Sequence, residues 1–292
     1  MSLRAPLGTL LALYAWLAAS PAAADAHPPL WRIDGHKNSV YLLASVHVLR
    51  ATDEALPASV MQAYSKARTI YMEVDLEHVD AAEAQEFTIE HGMLPESQTL
   101  QGVLGADRYS RAHEAALKLG VDLDMLAQLE PWVVALTIAQ AQFMKLGLDP
   151  AAGVEHQLLR HAAQDGKEIR GLETLSDQLG ALDSLSMQRQ GDFLVVSLDE
   201  AADLTTEADQ LIGAWSRGDT DALAKTLLKE FDGFPDLYRS LVVDRNRKWA
   251  DEIAPLLDDE QNYLIVVGAL HLVGKDSVLE LLRARGHPGR RE

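Results

Sequence analysis

The stretch NYLIVVGALHLVG, from Asn262 to Gly274, predicts a buried β-strand that ends at a glycine and is followed closely by a histidine. Leu264–Val267 is an uninterrupted apolar run rich in β-branched residues, which is typical of a strand covered on both faces. Gly268 stands where the chain is expected to turn, and His271 follows it. The sequence therefore predicts a histidine just beyond the end of a central strand.

A second stretch, far upstream, has the same pattern of an apolar strand followed by a histidine. VYLLASVH, from Val40 to His47, is an apolar strand that runs into small residues and then a histidine. The carboxyl ends of parallel strands lie at one edge of a sheet, where α/β proteins bind their ligands. We therefore expect His47 and His271 to contribute to one site, although they lie near opposite ends of the chain.

Strands and long helices alternate along the rest of the sequence. Leu30–Asp34 and Ser39–Ser45, joined by polar turn residues, predict an opening β-hairpin. Further strands are predicted at Thr69–Asp75 and Lys167–Glu173. The pattern predicts an α/β fold with a central, mostly parallel sheet opened by the N-terminal hairpin, and a large helical insertion over about residues 80–164.

Residues 1–24 have the layout of a secretory signal peptide. Arg4 precedes the apolar run Leu7–Ala19, and the small residues of Ser20–Ala24 resemble a cleavage site. The alternative is an uncleaved membrane anchor, because the apolar run is almost long enough to span a bilayer. The proline- and alanine-rich tail favours cleavage, which predicts a periplasmic or secreted protein whose mature domain covers residues 25–292.

Composition narrows the range of partners. The 292 residues are 48% hydrophobic and 24% charged, enough to bury a substantial core. The formal net charge of −18 argues against nucleic acid and, after signal cleavage, against a membrane surface as partners. The chain has no cysteine, which excludes disulfides and a thiol-linked lipid anchor. Nothing in the sequence indicates an oligomeric state.

Two imidazoles and a carboxylate are a common ligand set for a catalytic divalent metal. Glu73 supplies the carboxylate, because it lies at the end of the predicted strand Thr69–Asp75. In such a site a bound water becomes a nucleophile near neutral pH. The sequence lacks a G-x-S-x-G elbow, a P-loop and a dinucleotide-binding fingerprint, which removes the commoner hydrolase, kinase and Rossmann interpretations.

The order of several short motifs resembles the TraB/GumN family, which also includes the Tiki proteins. The matching segments are LLASVHV (42–48), LP (56–57), MEVD (72–75), GVE (153–155), GLET (171–174) with QL (178–179), Trp215 with Gly218 and Asp219, RNR (245–247) and GALHLVG (268–274). One position departs from the family, which usually has glycine where this chain has Ala44. A positive φ there would strain alanine, whereas a requirement for a small side chain would not.

The resemblance implies a site of His47, Glu73 and His271, with Arg245 and Asn246 as neighbours. Because the Tiki branch is regarded as metal-dependent proteases, it also implies a divalent metal, Mn, Co or Zn, and a peptide or other small substrate. An arginine such as Arg245 would then neutralise charge on a polarised carbonyl oxygen.

Each of these residues also has a purely structural interpretation. A histidine after a strand is often a hydrogen-bonded loop residue. Glu73 is costly to bury alone, so an ion pair with Arg245 or Arg247 would account for it without a metal. Glu155 and Glu173 stand beside a helix start or a strand end, where a carboxylate favours the helix N-terminus, and we interpret both as structural.

Two further functions remain open alongside an exported metal-dependent hydrolase. One is a non-catalytic periplasmic binding or regulatory protein for a peptide, a haem-like molecule or an exopolysaccharide component. Family members connected with conjugation-pheromone control and with polysaccharide gene clusters support it, because neither context requires turnover. The other is a scaffold in an envelope assembly.

Overall fold

The computed structural model describes residues 26–47, 49–50, 56–79, 81–201, 204–229 and 231–292. The predicted signal peptide, residues 1–24, lies outside the described residues. No helix in the described part of the chain combines the length and the apolar character needed to cross a membrane.

The described residues form eight strands and thirteen α-helices. The strands are β1 (Leu30–Asp34), β2 (Ser39–Ser45), β3 (Leu49–Arg50), β4 (Thr69–Val74), β5 (Leu148–Asp149), β6 (Glu168–Glu173), β7 (Tyr263–Gly268) and β8 (Arg290–Arg291). The α-helices are α1 (Ala58–Lys66), α2 (Ala81–Gly92), α3 (Leu100–Leu104), α4 (Ala106–Lys118), α5 (Pro131–Lys145), α6 (Val154–Asp165), α7 (Leu175–Asp183), α8 (Met187–Glu200), α9 (Leu204–Ser216), α10 (Thr220–Lys229), α11 (Pro235–Tyr238), α12 (Asp244–Ile253) and α13 (Val278–Ala284).

A six-stranded mixed sheet in the order β6–β4–β7–β2–β1–β8 forms the centre. The inner pairs β6–β4, β4–β7 and β7–β2 are parallel, whereas β1 is antiparallel to both β2 and β8. Every residue of β2 and β7 is buried, as their apolar composition predicts. The prediction of an α/β fold with a mostly parallel sheet and an opening hairpin is confirmed.

The large helical segment between β4 and β6 is also confirmed, and it contains α2 to α6. Its most apolar member, α5, starts with Pro131 at its first turn and buries Trp132, Val134 and Ile138 while packing against α8. The same segment contains β5, which pairs with β3 in a separate two-stranded sheet. This small sheet was not predicted.

The register of β2 and β7 brings the two histidine motifs together. Ala44 lies beside Val267, and Ser45 lies beside Gly268. Ala44 is buried inside an extended strand, so this position needs a small side chain and not a left-handed backbone. Trp215 Nε1 donates a hydrogen bond of 2.8 Å to the Ala44 carbonyl oxygen, which fixes α9 over the strand. The departure from the family glycine therefore costs no backbone strain.

A buried carboxylate in the helical segment gives a pH-dependent prediction. Glu130 accepts hydrogen bonds from Trp132 Nε1 at 3.2 Å and from Gln190 Nε2 at 3.0 Å, and its burial raises its pKa above the ordinary value. A raised carboxyl pKa means that ionisation of Glu130 opposes folding, so its stabilising contribution is lost as the pH rises through the raised pKa.

We expect Glu130→Gln to become more stable relative to wild type as the pH rises from about 4 to about 7, because glutamine keeps an acceptor and does not ionise. Urea unfolding at several pH values measures the difference. Glu96→Gln, at an exposed position, is the control and should show no such trend. Parallel pH profiles for Glu130→Gln and wild type would contradict the prediction.

Candidate functional site

His47 and His271 lie at the same edge of the central sheet. His47 follows the end of β2, and His271 lies in the 3₁₀ turn Ala269–Leu272 directly after β7. Because the two strands are parallel neighbours, both histidines emerge at their carboxyl ends. His271 is almost completely buried, with 3% of its side chain exposed, while His47 leaves a quarter of its side chain exposed.

Glu73, near the end of β4, lies between the two imidazoles. Its Oε1 atom is 3.8 Å from His47 Nε2 and 4.0 Å from His271 Nε2. The Gly268 backbone N–H donates a hydrogen bond of 2.7 Å to the same oxygen. A Cβ atom on Gly268 would lie 3.2 Å from both Glu73 Oε1 and His47 Nε2, which is a tight contact. Glycine at this strand end therefore lets the two side chains approach the backbone and one another.

The other nitrogen of each imidazole has an acceptor. His47 Nδ1 contacts Glu155 Oε1, which also accepts a hydrogen bond from Ser45 Oγ. His271 Nδ1 lies 2.6 Å from Asn246 Oδ1. Asn246 Nδ2 donates to the Asp276 carbonyl oxygen at 2.8 Å, so the amide oxygen faces the histidine. These acceptors on Nδ1 leave both Nε2 atoms directed toward Glu73.

Arg245 joins the acidic and basic parts of the site. Its Nη2 atom donates to Glu73 Oε2 at 2.7 Å and to Glu173 Oε1 at 2.6 Å. Its Nη1 atom lies 3.2 Å from His271 Nε2. The ion pair that would account for a buried Glu73 without a metal is therefore present. It involves Arg245, since Arg247 instead contacts the exposed Asp244 at 3.4 Å.

The charges of the site follow from burial and close contacts. Burial favours neutral Glu73, but the neighbouring charges, that of Arg245 above all, outweigh it and lower the Glu73 pKa to about 2. Burial lowers the pKa of His271 to about 3. Burial also opposes charge on His47, but Glu155 and Glu73 raise its pKa to about 9. In the absence of a metal ion, His47 is therefore cationic and His271 neutral at pH 7.

Two glutamates that we interpreted as structural contact the predicted site residues. Glu173 pairs with Arg245, and Glu155 contacts His47. Glu155 Oε2 is buried and has no hydrogen-bond partner among the described residues. The sequence signal for Glu155 was the Gly153-Val-Glu155 motif. A Cβ on Gly153 would lie 1.9 Å from the His47 carbonyl oxygen, so this glycine allows the start of α6 to reach the His47 backbone.

We expect Gly153→Ala to destabilise the fold by about 1–3 kcal/mol, because the added methyl group has to displace the backbone at His47. Gly180→Ala, in α7, is the matched control, since its Cβ would meet no atom within 4 Å. That control should stabilise the protein by about 0.5–1 kcal/mol, because alanine has the higher helix propensity. Thermal and urea unfolding measure both changes, and equal effects would contradict the close approach.

Two of the three separations in the donor set suit a divalent cation, but the three ligand atoms do not all lie within 4.8 Å of one another, so the two imidazoles have to approach each other for an ion to bind. Ligands about 2.0–2.2 Å from a shared ion lie roughly 3–4 Å apart, which matches the two distances to Glu73 Oε1. His271 Nε2, however, faces Arg245 Nη1, which has to withdraw for an ion to bind. Among the described residues, the cluster whose ligand atoms all lie within 4.8 Å of one another is a different one, composed of His113, Asp122 and Asp124. Two of its three members are exposed.

The sequence is similar to those of several known proteins. YbaP of Shigella flexneri is 24% identical over 254 residues, covering 86% of this chain and 90% of the relative. YbaP of Escherichia coli K12 is 24% identical over 246 residues, covering 83% and 87%. An uncharacterized protein of Treponema pallidum is 24% identical over 268 residues, covering 87% and 80%. No solved structure matches the chain. The model of the TraB/PrgY/gumN family matches residues 29–289, and the chain belongs to this family.

Proposed function

We propose that this protein is an exported metal-dependent hydrolase that cleaves peptides, with His47, Glu73 and His271 binding one Mn²⁺, Co²⁺ or Zn²⁺ ion. The main support is the pair of imidazole Nε2 atoms that face a single oxygen of Glu73. A divalent ion in such a site supplies a Lewis acid and lowers the pKa of a bound water to about 7.

The residues around the three ligands orient them and bind the substrate. Glu155 and Asn246 hold the Nδ1 sides of the two histidines, which fixes the direction of each Nε2 atom. Arg245 Nη2 donates hydrogen bonds to Glu73 and Glu173. When its Nη1 atom leaves His271, that N–H becomes available to the carbonyl oxygen of the scissile bond and stabilises the charge that develops there.

Export is the second part of the proposal and rests on residues 1–24. The basic residue, apolar run and small-residue tail of this segment match a cleaved signal peptide. Fractionation of cells that produce the full chain tests it, with the mature protein expected in the periplasm or the medium. Retention of the full-length chain in the membrane would support the anchor interpretation instead.

Metal analysis together with a peptide-cleavage assay tests the catalytic proposal. We expect about one bound ion per chain after reconstitution with Mn²⁺, Co²⁺ or Zn²⁺. A chelator should stop hydrolysis of a mixed peptide library, read by mass spectrometry, and addition of the metal should restore it. His156→Ala, next to Glu155 in the chain, is a control that should keep both properties. Failure to bind an ion, or cleavage that survives chelation, contradicts the proposal.

A non-catalytic binding protein is the second candidate, and one observation favours it. Arg245 Nη1 occupies the lone pair of His271 Nε2, so this proposed metal ligand already has a protein partner. In that case Arg245 remains in place and the adjoining surface binds a peptide, a haem-like molecule or an exopolysaccharide component. Thermal stabilisation by such a ligand that persists in the presence of a chelator, without turnover, would favour binding over hydrolysis.

A further inference from the structure

A cleft of about 460 Å³ opens at the carboxyl ends of β4 and β6, next to the candidate site. Its lining begins at Val74, which directly follows Glu73, and includes Glu173, which contacts Arg245. Its volume is that of an ordinary small-ligand pocket. The cleft therefore adjoins the site on the side of Arg245 and lies at the sheet edge where α/β proteins bind ligands.

The position of the cleft suits a neighbouring residue of a bound peptide. The strand β7, which ends three residues before His271, is the immediate neighbour of β4, and β6 is the next strand beyond β4. At about 4.8 Å between strands, the cleft lies roughly 5–10 Å from the end of β7. An extended peptide advances about 3.4 Å per residue, so the cleft matches a side chain two or three residues from the scissile bond.

Apolar side chains form part of the wall of the cleft. Val74 and Leu172 come from adjacent strands, and Phe87 comes from α2. These groups are suited to the methylene stem of a long side chain, which gains free energy when its apolar surface leaves water.

The charges at the rim decide which head group fits. Asp75 contacts His78 at 2.9 Å, and Asp177 contacts Lys248 at 3.4 Å. The exposed side chain of Glu252, in contrast, makes no ion pair or hydrogen bond with the described residues. Burial raises the pKa of Glu252, the positive charge of Lys248 lowers it, and the negative charge of Asp177 raises it further. Two carboxylates of the cleft, Asp177 and Glu252, thus share the single charge of Lys248, which leaves one negative charge in excess at this end.

We propose that this cleft is a specificity subsite for a lysine or arginine side chain of the substrate, with the stem against Val74, Leu172 and Phe87 and the cationic head at Glu252. The inference rests on the proposed peptidase function for the identity of the substrate.

Binding measured without turnover tests the subsite separately from catalysis. The probes are two fluorescent peptides that differ only in one residue, lysine or norleucine, and fluorescence anisotropy follows their binding to the full chain in the presence of a chelator. We expect the lysine peptide to bind about fivefold more tightly. This ratio of dissociation constants corresponds to about 1 kcal/mol, the contribution of a partly exposed ion pair. Glu252→Gln should remove the preference, whereas Glu96→Gln should keep it.

A charge reversal strengthens the test. Glu252→Lys should make a glutamate peptide bind more tightly than the lysine peptide. Equal affinities of wild type for the lysine and norleucine peptides, or no saturable binding of either, overturn the subsite even if metal-dependent cleavage is found. A lysine preference that depends on Glu252, in a protein that never cleaves, would instead retain the subsite and remove the hydrolase function.

Discussion

Replacement of Arg245 by leucine should lower the free energy of unfolding by about 3–5 kcal/mol at neutral pH. Arg245 bridges Glu73 and Glu173, and the exposed fractions of the three side chains are 11%, 9% and 1%. Without the guanidinium group, two buried carboxylates face each other with no strong cation between them. Removal of one partner from a buried ion cluster costs far more than the intact cluster contributes, because the remaining charges stay desolvated.

Arg247→Leu is the matched control for this prediction. Arg247 lies two residues further along α12, is 63% exposed and contacts an equally exposed aspartate, so its loss should cost less than about 1 kcal/mol. A double variant, Arg245→Leu with Glu173→Gln, should recover part of the lost stability, since it removes one of the two uncompensated charges. Urea unfolding at pH 7 gives all three values. Equal stabilities of the two single variants would show that the cluster does not hold the fold together.

The central sheet was predictable because its inner strands carry their signal locally. A strand covered on both faces has to be apolar throughout. The apolar runs in β2 and β7 lack the regularly spaced polar positions of an amphipathic helix. The two-residue strands β3, β5 and β8 are too short to have a pattern of their own. Their pairing depends on where the rest of the fold brings them, which no local signal records.

Some residues of the candidate site were likewise predictable from the sequence, and others were not. His47, Glu73 and His271 could be grouped because the ends of parallel strands meet at one edge of a sheet. The contact of Glu155 with His47 depends instead on how closely α6 approaches the end of β2. Gly153 makes that approach possible, but a glycine before a helix commonly marks nothing more than a turn in the chain.

The carboxamide of Gln178, which donates to Glu73 Oε2 at 3.1 Å, was not predicted as part of the site at all. It comes from α7, and helix surface positions that face a site look like any other polar surface in the sequence. Reasoning from strand ends therefore grouped the three proposed ligands, and the family resemblance added Arg245 and Asn246 of α12, but neither assigned Gln178 to the site.

His271→Ala should weaken binding of Mn²⁺, Co²⁺ or Zn²⁺ by more than about 100-fold, because it removes one of three proposed ligands, and changes outside the ligand shell alone cost about 10–100-fold. Asn246→Leu leaves the ligands in place but removes the acceptor that holds His271 Nδ1. The loss of metal affinity in this variant should therefore be about 10–100-fold. Competition against a chelator of known affinity gives the dissociation constants. Circular dichroism of the metal-free variants shows whether each one folds.

His113→Ala distinguishes this site from the other cluster of potential ligands. Its imidazole lies 3.2 Å from Asp122, and the His113–Asp122–Asp124 cluster meets the distance requirement for a metal without any movement of an arginine. If the ion binds between His47, Glu73 and His271, His113→Ala should retain wild-type affinity. The reverse pattern, with affinity lost in His113→Ala and kept in His271→Ala, would assign the metal to the surface cluster and leave the paired strand ends with a structural role, because Glu73 already has an ion-pair partner in Arg245.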